Sequence, residues 1–176
     1  MTGPDQVAGP AATVTVPTAA AMRALGTRLA GLLRAGDLVI PIGDLGAGKT
    51  TLVQGIGAGL EVRGPITSPT FVIARVHPSL SGGPALVHAD AYRLTSPAEV
   101  DDLDLDDTMD SSVTVVEWGG GLAEGLADDR LEVTITRLEA TQGAEPRTVC
   151  IAGHGVRWNA AGDSALLALS GTSEGL

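Results

Sequence analysis

The chain has 176 residues, which suits one domain with its own core and leaves little room for a second. Its formal net charge of -10 argues against unaided binding to nucleic acid or to an anionic membrane, because basic side chains supply most of that affinity. The single cysteine excludes an internal disulfide. The N-terminus has no basic or apolar targeting region and no apolar run is long enough to span a membrane, so we expect a cytoplasmic protein.

Hydrophobic periodicity predicts alternating strands and helices, which is typical of an α/β domain. The acidic segment from Ser96 to Asp107 predicts a short helix and a loop. In chain order the other predicted elements are a strand at 14–17 (VTVP), a helix from Thr18 to Arg34 with Thr18 as N-cap, a strand at 38–42 (LVIPI), a helix from Lys49 to Leu60, and strands at 70–76 (TFVIARV), 85–92 (ALVHADAY), 112–118 (SVTVVEW), 130–138 (RLEVTITRL) and 147–153 (RTVCIAG).

Two features weaken these elements. Pro41 cannot donate to a sheet ladder, and glycines at 55, 57 and 59 lower the helix propensity of the second helix. The chain ends are small and polar. They predict a loose tail at 1–12, a domain at 13–158 and a mobile tail at 159–176. We expect a mainly parallel central sheet flanked by helices, with the last two strands forming an antiparallel hairpin at one edge.

The segment GDLGAGKT fits the phosphate-loop pattern G-x-x-x-x-G-K-[ST], and it lies between a predicted strand and a predicted helix as that loop requires. Its glycines allow backbone amides to face phosphate, and a helix N-terminus favours anions. The compact charge of Lys49, the only lysine, suits the β- and γ-phosphates, and the Thr50 hydroxyl suits Mg²⁺. The expected nucleotide-binding residues are Gly43, Asp44, Leu45, Gly46, Ala47, Gly48, Lys49, Thr50 and Thr51.

A phosphate loop also needs a carboxylate at the end of a neighbouring strand to hold the metal. Asp90 ends the run ALVHAD and Glu117 ends SVTVVE. Parallel strands would deliver both side chains beside the loop. The residues themselves leave open which of the two is the main magnesium ligand.

Four motifs in order, GDLGAGKTT, SPTF (68–71), HADAYRL (88–94) and EW (117–118), resemble the TsaE (YjeE) family of ATPases in tRNA threonylcarbamoyladenosine synthesis. The resemblance covers roughly residues 14–138. It implies that Thr50 and Glu117 bind Mg²⁺ and that Asp90 is needed for ATP hydrolysis, so the implied catalytic residues are Lys49, Asp90 and Glu117.

The resemblance further implies that the segment from Pro17 to Ala19 lies near the adenine and that SPTF acts as a switch loop. The implied partners are TsaD and TsaB, and tRNA would be contacted only indirectly. The residues alone leave open whether His88, Tyr92 and Trp118 serve the site or only pack.

Other functions of a phosphate-loop protein remain alternatives. A small-molecule kinase is the main one, although Arg75 and Arg93 do not form an obvious arginine-bearing lid. A GTPase would need N-K-x-D, and the chain's only lysine is already in the loop. A binding module could use nucleotide as a structural ligand only.

Overall fold

The structure, a computed structural model, describes residues 12–68, 73–139, 145–158 and 160–170. The strands are β1 (Ala12–Val16), β2 (Leu38–Ile42), β3 (Ala74–His77), β4 (Ala85–Asp90), β5 (Ser112–Glu117), β6 (Arg130–Arg137) and β7 (Arg147–His154). The helices are α1 (Ala19–Ala30), α2 (Lys49–Gly59), α3 (Pro97–Asp101), α4 (Asp106–Met109) and α5 (Ala160–Leu167), with single 3₁₀ turns at Glu124–Leu126 and Val156–Trp158.

All seven strands belong to one mixed sheet in the order β1-β7-β6-β2-β5-β4-β3. The central strands β6, β2, β5 and β4 run parallel, whereas β1 with β7, β7 with β6 and β4 with β3 pair antiparallel. The predicted single α/β domain is confirmed. The antiparallel hairpin β6–β7 is also present, but β1 covers its outer strand and is itself the sheet edge.

The sheet has a hydrophobic core on each face. One core joins α1, α2 and the C-terminal helix to the strands through residues such as Leu25, Leu52 and Leu166. The other joins α3 and α4 to β2, β4 and β5, with Val100 and Met109 among its buried residues. Because apolar residues of the central strands point to both faces, these strands read as continuous apolar runs in the sequence.

Glycines that weaken α2 in the sequence bring it close to α1. A Cβ at Gly55 would collide with the carbonyl of Arg23, and one at Gly59 would lie 2.8 Å from the carbonyl oxygen of Thr27. The Thr27 hydroxyl donates to the Gly55 carbonyl oxygen over 3.1 Å. The lost helix propensity is therefore the consequence of a close helix–helix contact that no larger residue permits.

Thr18 caps α1 as predicted, accepting a 3.0 Å hydrogen bond from the Ala21 amide. Pro41 is accommodated because β2 pairs with β5 only at Leu38 and Val39 and continues beside β6 alone. Within the described ranges, no helix is long and apolar enough to cross a membrane.

The C-terminal segment is the main correction to the predicted elements. The sequence interpretation gave no element after residue 158, yet residues 160–167 form α5. Leu166 is fully buried and the Leu169 carbonyl accepts a 3.1 Å hydrogen bond from Arg28. The leucines at 166, 167 and 169, in a segment of otherwise small and polar residues, were too weak a periodic signal to predict this helix.

Arg157 connects the C-terminal segment to the rest of the domain through hydrogen bonds. Its guanidinium makes two 2.8 Å hydrogen bonds to the buried carboxylate of Asp37 and one of 2.7 Å to the Leu32 carbonyl. The hydrogen bonds with Asp37 raise the pKa of Arg157 above its ordinary value. The turn that leads from α1 into β2 is therefore tied to the segment that follows β7.

Candidate functional site

The glycine-rich loop between β2 and α2 has the backbone conformation of an anion-binding turn. Gly46 and Gly48 have φ angles of 75° and 114°, in the left-handed region that other residues avoid. The Ala47 amide closes the turn with a 3.0 Å hydrogen bond to the Asp44 carbonyl. α2 begins at Lys49 without a side-chain cap, so its first amides can serve an anion.

Lys49 lies inside this loop with only 5% of its surface exposed. Its ammonium donates to the carbonyls of Gly43 and Asp44 over 2.6 and 2.9 Å, and it lies 4.0 Å from the centre of the Trp118 ring. Burial lowers the pKa of Lys49, and the negative charge of Glu117 opposes that shift. The cation is therefore held in place at a cost in solvation, which a bound anion would offset.

Thr50 and Glu117 are 67 residues apart in the chain and in direct contact in the fold. The threonine hydroxyl lies 3.1 and 3.3 Å from the two carboxylate oxygens of Glu117, which ends β5 and is 3% exposed. The contact follows from topology, because β5 is the parallel neighbour of β2 and both strands end at the same edge of the sheet.

These oxygen atoms fit a magnesium ion. A hydroxyl and a carboxylate are ligands that Mg²⁺ prefers, and it usually takes one or two carboxylates together with phosphate oxygens and water. Across the described ranges, no group of three or more His, Cys, Asp and Glu side chains could hold a metal by itself. Thr50 and Glu117 would hold the ion together with a nucleotide.

Asp90 lies beside Glu117 at the end of the neighbouring strand, and the two residues are partners in the parallel β4–β5 pair. One oxygen of Asp90 accepts a 2.8 Å hydrogen bond from the Tyr92 amide. Burial raises the pKa of Asp90, the Tyr92 hydrogen bond opposes this, and the nearby Glu117 charge adds to it. The structure thus brings both candidate carboxylates to one place, and the contact with Thr50 favours Glu117 as the one nearer the metal.

His88 is fully buried on β4 and contacts the carboxylate of Glu117 through its Nε2 atom. Its Nδ1 atom is buried and has no hydrogen-bond partner among the described residues. The sequence left the role of this histidine open. The structure places it behind the carboxylate, where a donated hydrogen bond fixes the orientation of Glu117 toward Thr50.

Two of the cavities beside the loop share Gly46, Gly48 and Thr51. The first continues toward the start of α1, where Thr18, Ala19 and Met22 line it. Pro17 is exposed and is not among the lining residues. The second contains the catalytic candidates Lys49 and Glu117 and the metal-ligand candidate Thr50, with Leu45, Ser68 and Trp118 at its walls. The third catalytic candidate, Asp90, is not among its lining residues.

Aromatic residues border the second cavity. Trp118 has a left-handed backbone with φ of 59°, and its ring meets that of Tyr92 edge-on with centroids 5.0 Å apart. Tyr92 is 65% exposed and Leu45 is 82% exposed. Of the predicted switch loop SPTF, Ser68 lines the cavity, while residues 69–71 lie outside the described residues.

Two residues that sequence reasoning missed are Arg137 and Arg147. Both contact carbonyl oxygens of the glycine loop: Arg137 donates to Gly46 over 2.9 Å and Arg147 to Ala47 over 2.9 Å. Nothing near the motifs indicates them, since they lie about 90 to 100 residues after the loop. The available signal was one arginine in each strand of the predicted hairpin, next to the turn that joins the two strands.

Comparisons with known proteins identify one family. The family model described as "Threonylcarbamoyl adenosine biosynthesis protein TsaE" matches residues 16–146. A Streptomyces coelicolor protein named tRNA threonylcarbamoyladenosine biosynthesis protein TsaE is 59% identical over 146 residues, covering 82% of this chain and 99% of that protein. A Mycobacterium bovis protein of the same name is 49% identical over 133 residues, covering 72% of this chain and 79% of that protein.

The fold has a solved counterpart. The crystal structure of Bacillus subtilis YdiB superposes with a TM-score of 0.66 at 27% sequence identity, covering 87% of this chain and 92% of that one. The family match begins at the last residue of β1, ends one residue before β7, and includes the glycine loop, both carboxylates and the β6 arginine. The chain therefore belongs to the TsaE family.

Proposed function

We propose that this protein binds ATP with Mg²⁺ and hydrolyses it as the ATPase subunit required for threonylcarbamoyladenosine modification of tRNA. The observation that carries the proposal is the contact between Thr50 and Glu117 at the mouth of the glycine loop. A phosphate-loop ATPase needs a loop hydroxyl and a strand-end carboxylate within reach of one metal ion, and these two residues meet that requirement.

The proposed mechanism is positioning and neutralisation of phosphate charge. Thr50 and Glu117 would hold Mg²⁺, which would supply positive charge beside the phosphates, and Lys49 would neutralise the β- and γ-phosphates. Asp90, beside Glu117, would orient the attacking water. Thr18, Ala19 and Met22 line the cavity in which the adenine side of the nucleotide would lie. We expect slow turnover by the isolated protein. Arg137 and Arg147, on the hairpin beside the loop, contact loop carbonyls and are therefore not placed to act as an arginine finger.

The proposed partners are TsaD and TsaB, which would carry the transfer chemistry and the tRNA contact. The net charge of -10 supports this division, since the chain itself would repel the tRNA backbone. The exposed side chains of Leu45 and Tyr92 border the phosphate side of the site and offer a partner an apolar contact surface.

A reconstitution experiment tests the proposal. Phosphate release from Mg-ATP and threonylcarbamoyladenosine on tRNA are measured for the protein alone and after adding TsaD, TsaB and unmodified tRNA. We expect slow hydrolysis alone and modified tRNA only when this protein and ATP are both present. Modification at the full rate without this protein would contradict the proposal. The kinase alternative predicts phosphate on a small acceptor, so analysis of the labelled product from γ-labelled ATP separates the two.

A further inference from the structure

We propose that Arg137 and Arg147 are positioning residues that hold the glycine loop in the conformation that accepts phosphate; this rests on the nucleotide binding proposed above. Two guanidinium groups contact three consecutive loop carbonyls. Arg137 Nη2 donates to Leu45 and Gly46 over 3.3 and 2.9 Å, while Arg147 donates to Ala47 from Nε over 2.9 Å and to Gly46 from Nη2 over 3.4 Å.

The direction of these carbonyls sets the direction of the amides. A trans peptide is planar, so its N–H group points away from its carbonyl oxygen, and no cis peptide is found in the described part of the chain. With the Leu45 and Ala47 carbonyls turned to the arginines, the amides of Gly46 and Gly48 point away from them. Both glycines line the cavity that contains Lys49. The arginines therefore favour the loop geometry that a phosphate needs.

The packing at Gly46 reflects the same close contact with Arg137. A Cβ at this position would collide with Nη2 of Arg137, and the φ angle of 75° also disfavours a side chain. Nη2 is the far end of a flexible side chain, so the φ angle is the stronger reason for glycine at this position. Hydrogen bonds from charged donors are stronger than neutral ones, so they favour this conformation of the loop.

The two arginines reach the loop together because they are partners in the last pair of the β6–β7 hairpin. Just beyond this pair, the Leu138 amide donates to the Pro146 carbonyl over 3.0 Å. The Glu145 carbonyl and carboxylate also accept hydrogen bonds from Arg147. The side chains are thus oriented before any ligand binds, which lowers the entropy cost of using them.

The test measures binding of ADP and of inorganic tripolyphosphate to Arg137→Gln and Arg147→Gln by titration calorimetry with Mg²⁺. Tripolyphosphate lacks the base and sugar, so it reports on the loop alone. We expect each variant to bind both probes about tenfold more weakly, as for the loss of charge-assisted hydrogen bonds. Arg147→Lys retains the charge but not the planar fork, so we expect it to recover only part of the affinity.

Arg130→Gln is the matched control, because Arg130 lies on β6 like Arg137 but pairs with Glu132, away from the loop. We expect it to bind both probes like the original protein. Equal loss in the control would mean a general charge effect, and loss for ADP without loss for tripolyphosphate would mean a contact to base or sugar. Either result, or unchanged affinity in both variants, overturns the proposal.

The exposed Arg137 variant keeps the test decisive if the Arg147 variant does not fold. Folding of each variant is checked by its thermal transition without ligand. If the original protein binds neither ADP nor tripolyphosphate, that result would instead refute the nucleotide binding on which this inference rests.

Discussion

At the residue scale, the site depends on a few polar side chains kept out of water by the fold. Lys49, His88 and Glu117 are all buried, and each has a partner. Lys49 donates to loop carbonyls, and the Glu117 carboxylate contacts both Nε2 of His88 and the hydroxyl of Thr50. Hydrogen bonds between buried polar groups are costly to break, because removal of one group leaves its partner buried and unsatisfied. Substitutions here should therefore have large and separable effects.

For Lys49→Met we expect ATP affinity to fall about a hundredfold, as for the loss of a charged donor to phosphate. Methionine retains an aliphatic stem beside Trp118, so the fold should persist. Burial disfavours the charged lysine without ligand, which offsets part of the stability lost when the Gly43 and Asp44 carbonyls lose their donor. Calorimetric titration with Mg-ATP measures the affinity, and the thermal transition is the folding control. Unchanged ATP affinity in a folded variant would remove the phosphate-loop assignment.

Glu117→Gln and Asp90→Asn should differ in their effects. Glu117 contacts Thr50, so we expect its variant to lose the magnesium dependence of nucleotide binding. Asp90 contacts the Tyr92 amide, and we expect its variant to bind Mg-nucleotide normally and hydrolyse it at least tenfold more slowly, as for loss of a water-orienting group. Binding measured with and without Mg²⁺, together with phosphate release, separates the two. The opposite pattern would exchange their roles.

At the element scale, the close contact between α1 and α2 fixes the helix that begins at Lys49. Helix propensity and packing make opposite demands on α2, and packing prevails at Gly55 and Gly59. The loop is held from the other side by the β6–β7 hairpin through Arg137 and Arg147. The glycine loop is thus supported by elements from both ends of the chain.

We expect Gly55→Ala to lower the free energy of unfolding by about 1–3 kcal/mol, as overpacking does, although alanine is the better helix former. The added methyl would collide with the backbone carbonyl of Arg23. Denaturant unfolding measures the change. Gly125→Ala is the control, because a Cβ at Gly125 has no neighbour within 4 Å. An increase in stability for Gly55→Ala would show that propensity outweighs the helix contact.

At the scale of the whole molecule, the net charge of -10 disfavours direct contact with the phosphate backbone of tRNA. The positive side chains near the site are engaged internally: Lys49, Arg137 and Arg147 contact loop carbonyls. Specific recognition of tRNA usually takes a basic patch or exposed stacking aromatics. A protein of this charge should act on tRNA through partners.

We expect the isolated protein to give no gel shift with unmodified tRNA at physiological salt, and a shifted band only with TsaD and TsaB present. Phosphate-backbone affinity requires cations that this chain does not supply. The same gel with the partners but without this protein is the control. Binding by the isolated chain at micromolar or lower concentration would contradict this interpretation of the charge.

The sequence by itself determined the α/β class, the glycine loop, the Thr18 cap and the two strand-end carboxylates, because each depends on a local pattern or on a strand end beside a motif. Only the tertiary structure decided which groups meet: His88 behind Glu117, Thr50 against Glu117, β1 at the sheet edge, α5 in the core, and Arg137 and Arg147 on the loop. The physical reason is that these contacts join residues far apart in the chain. Strand order and packing set such pairings, and no periodicity or short motif within one segment encodes them.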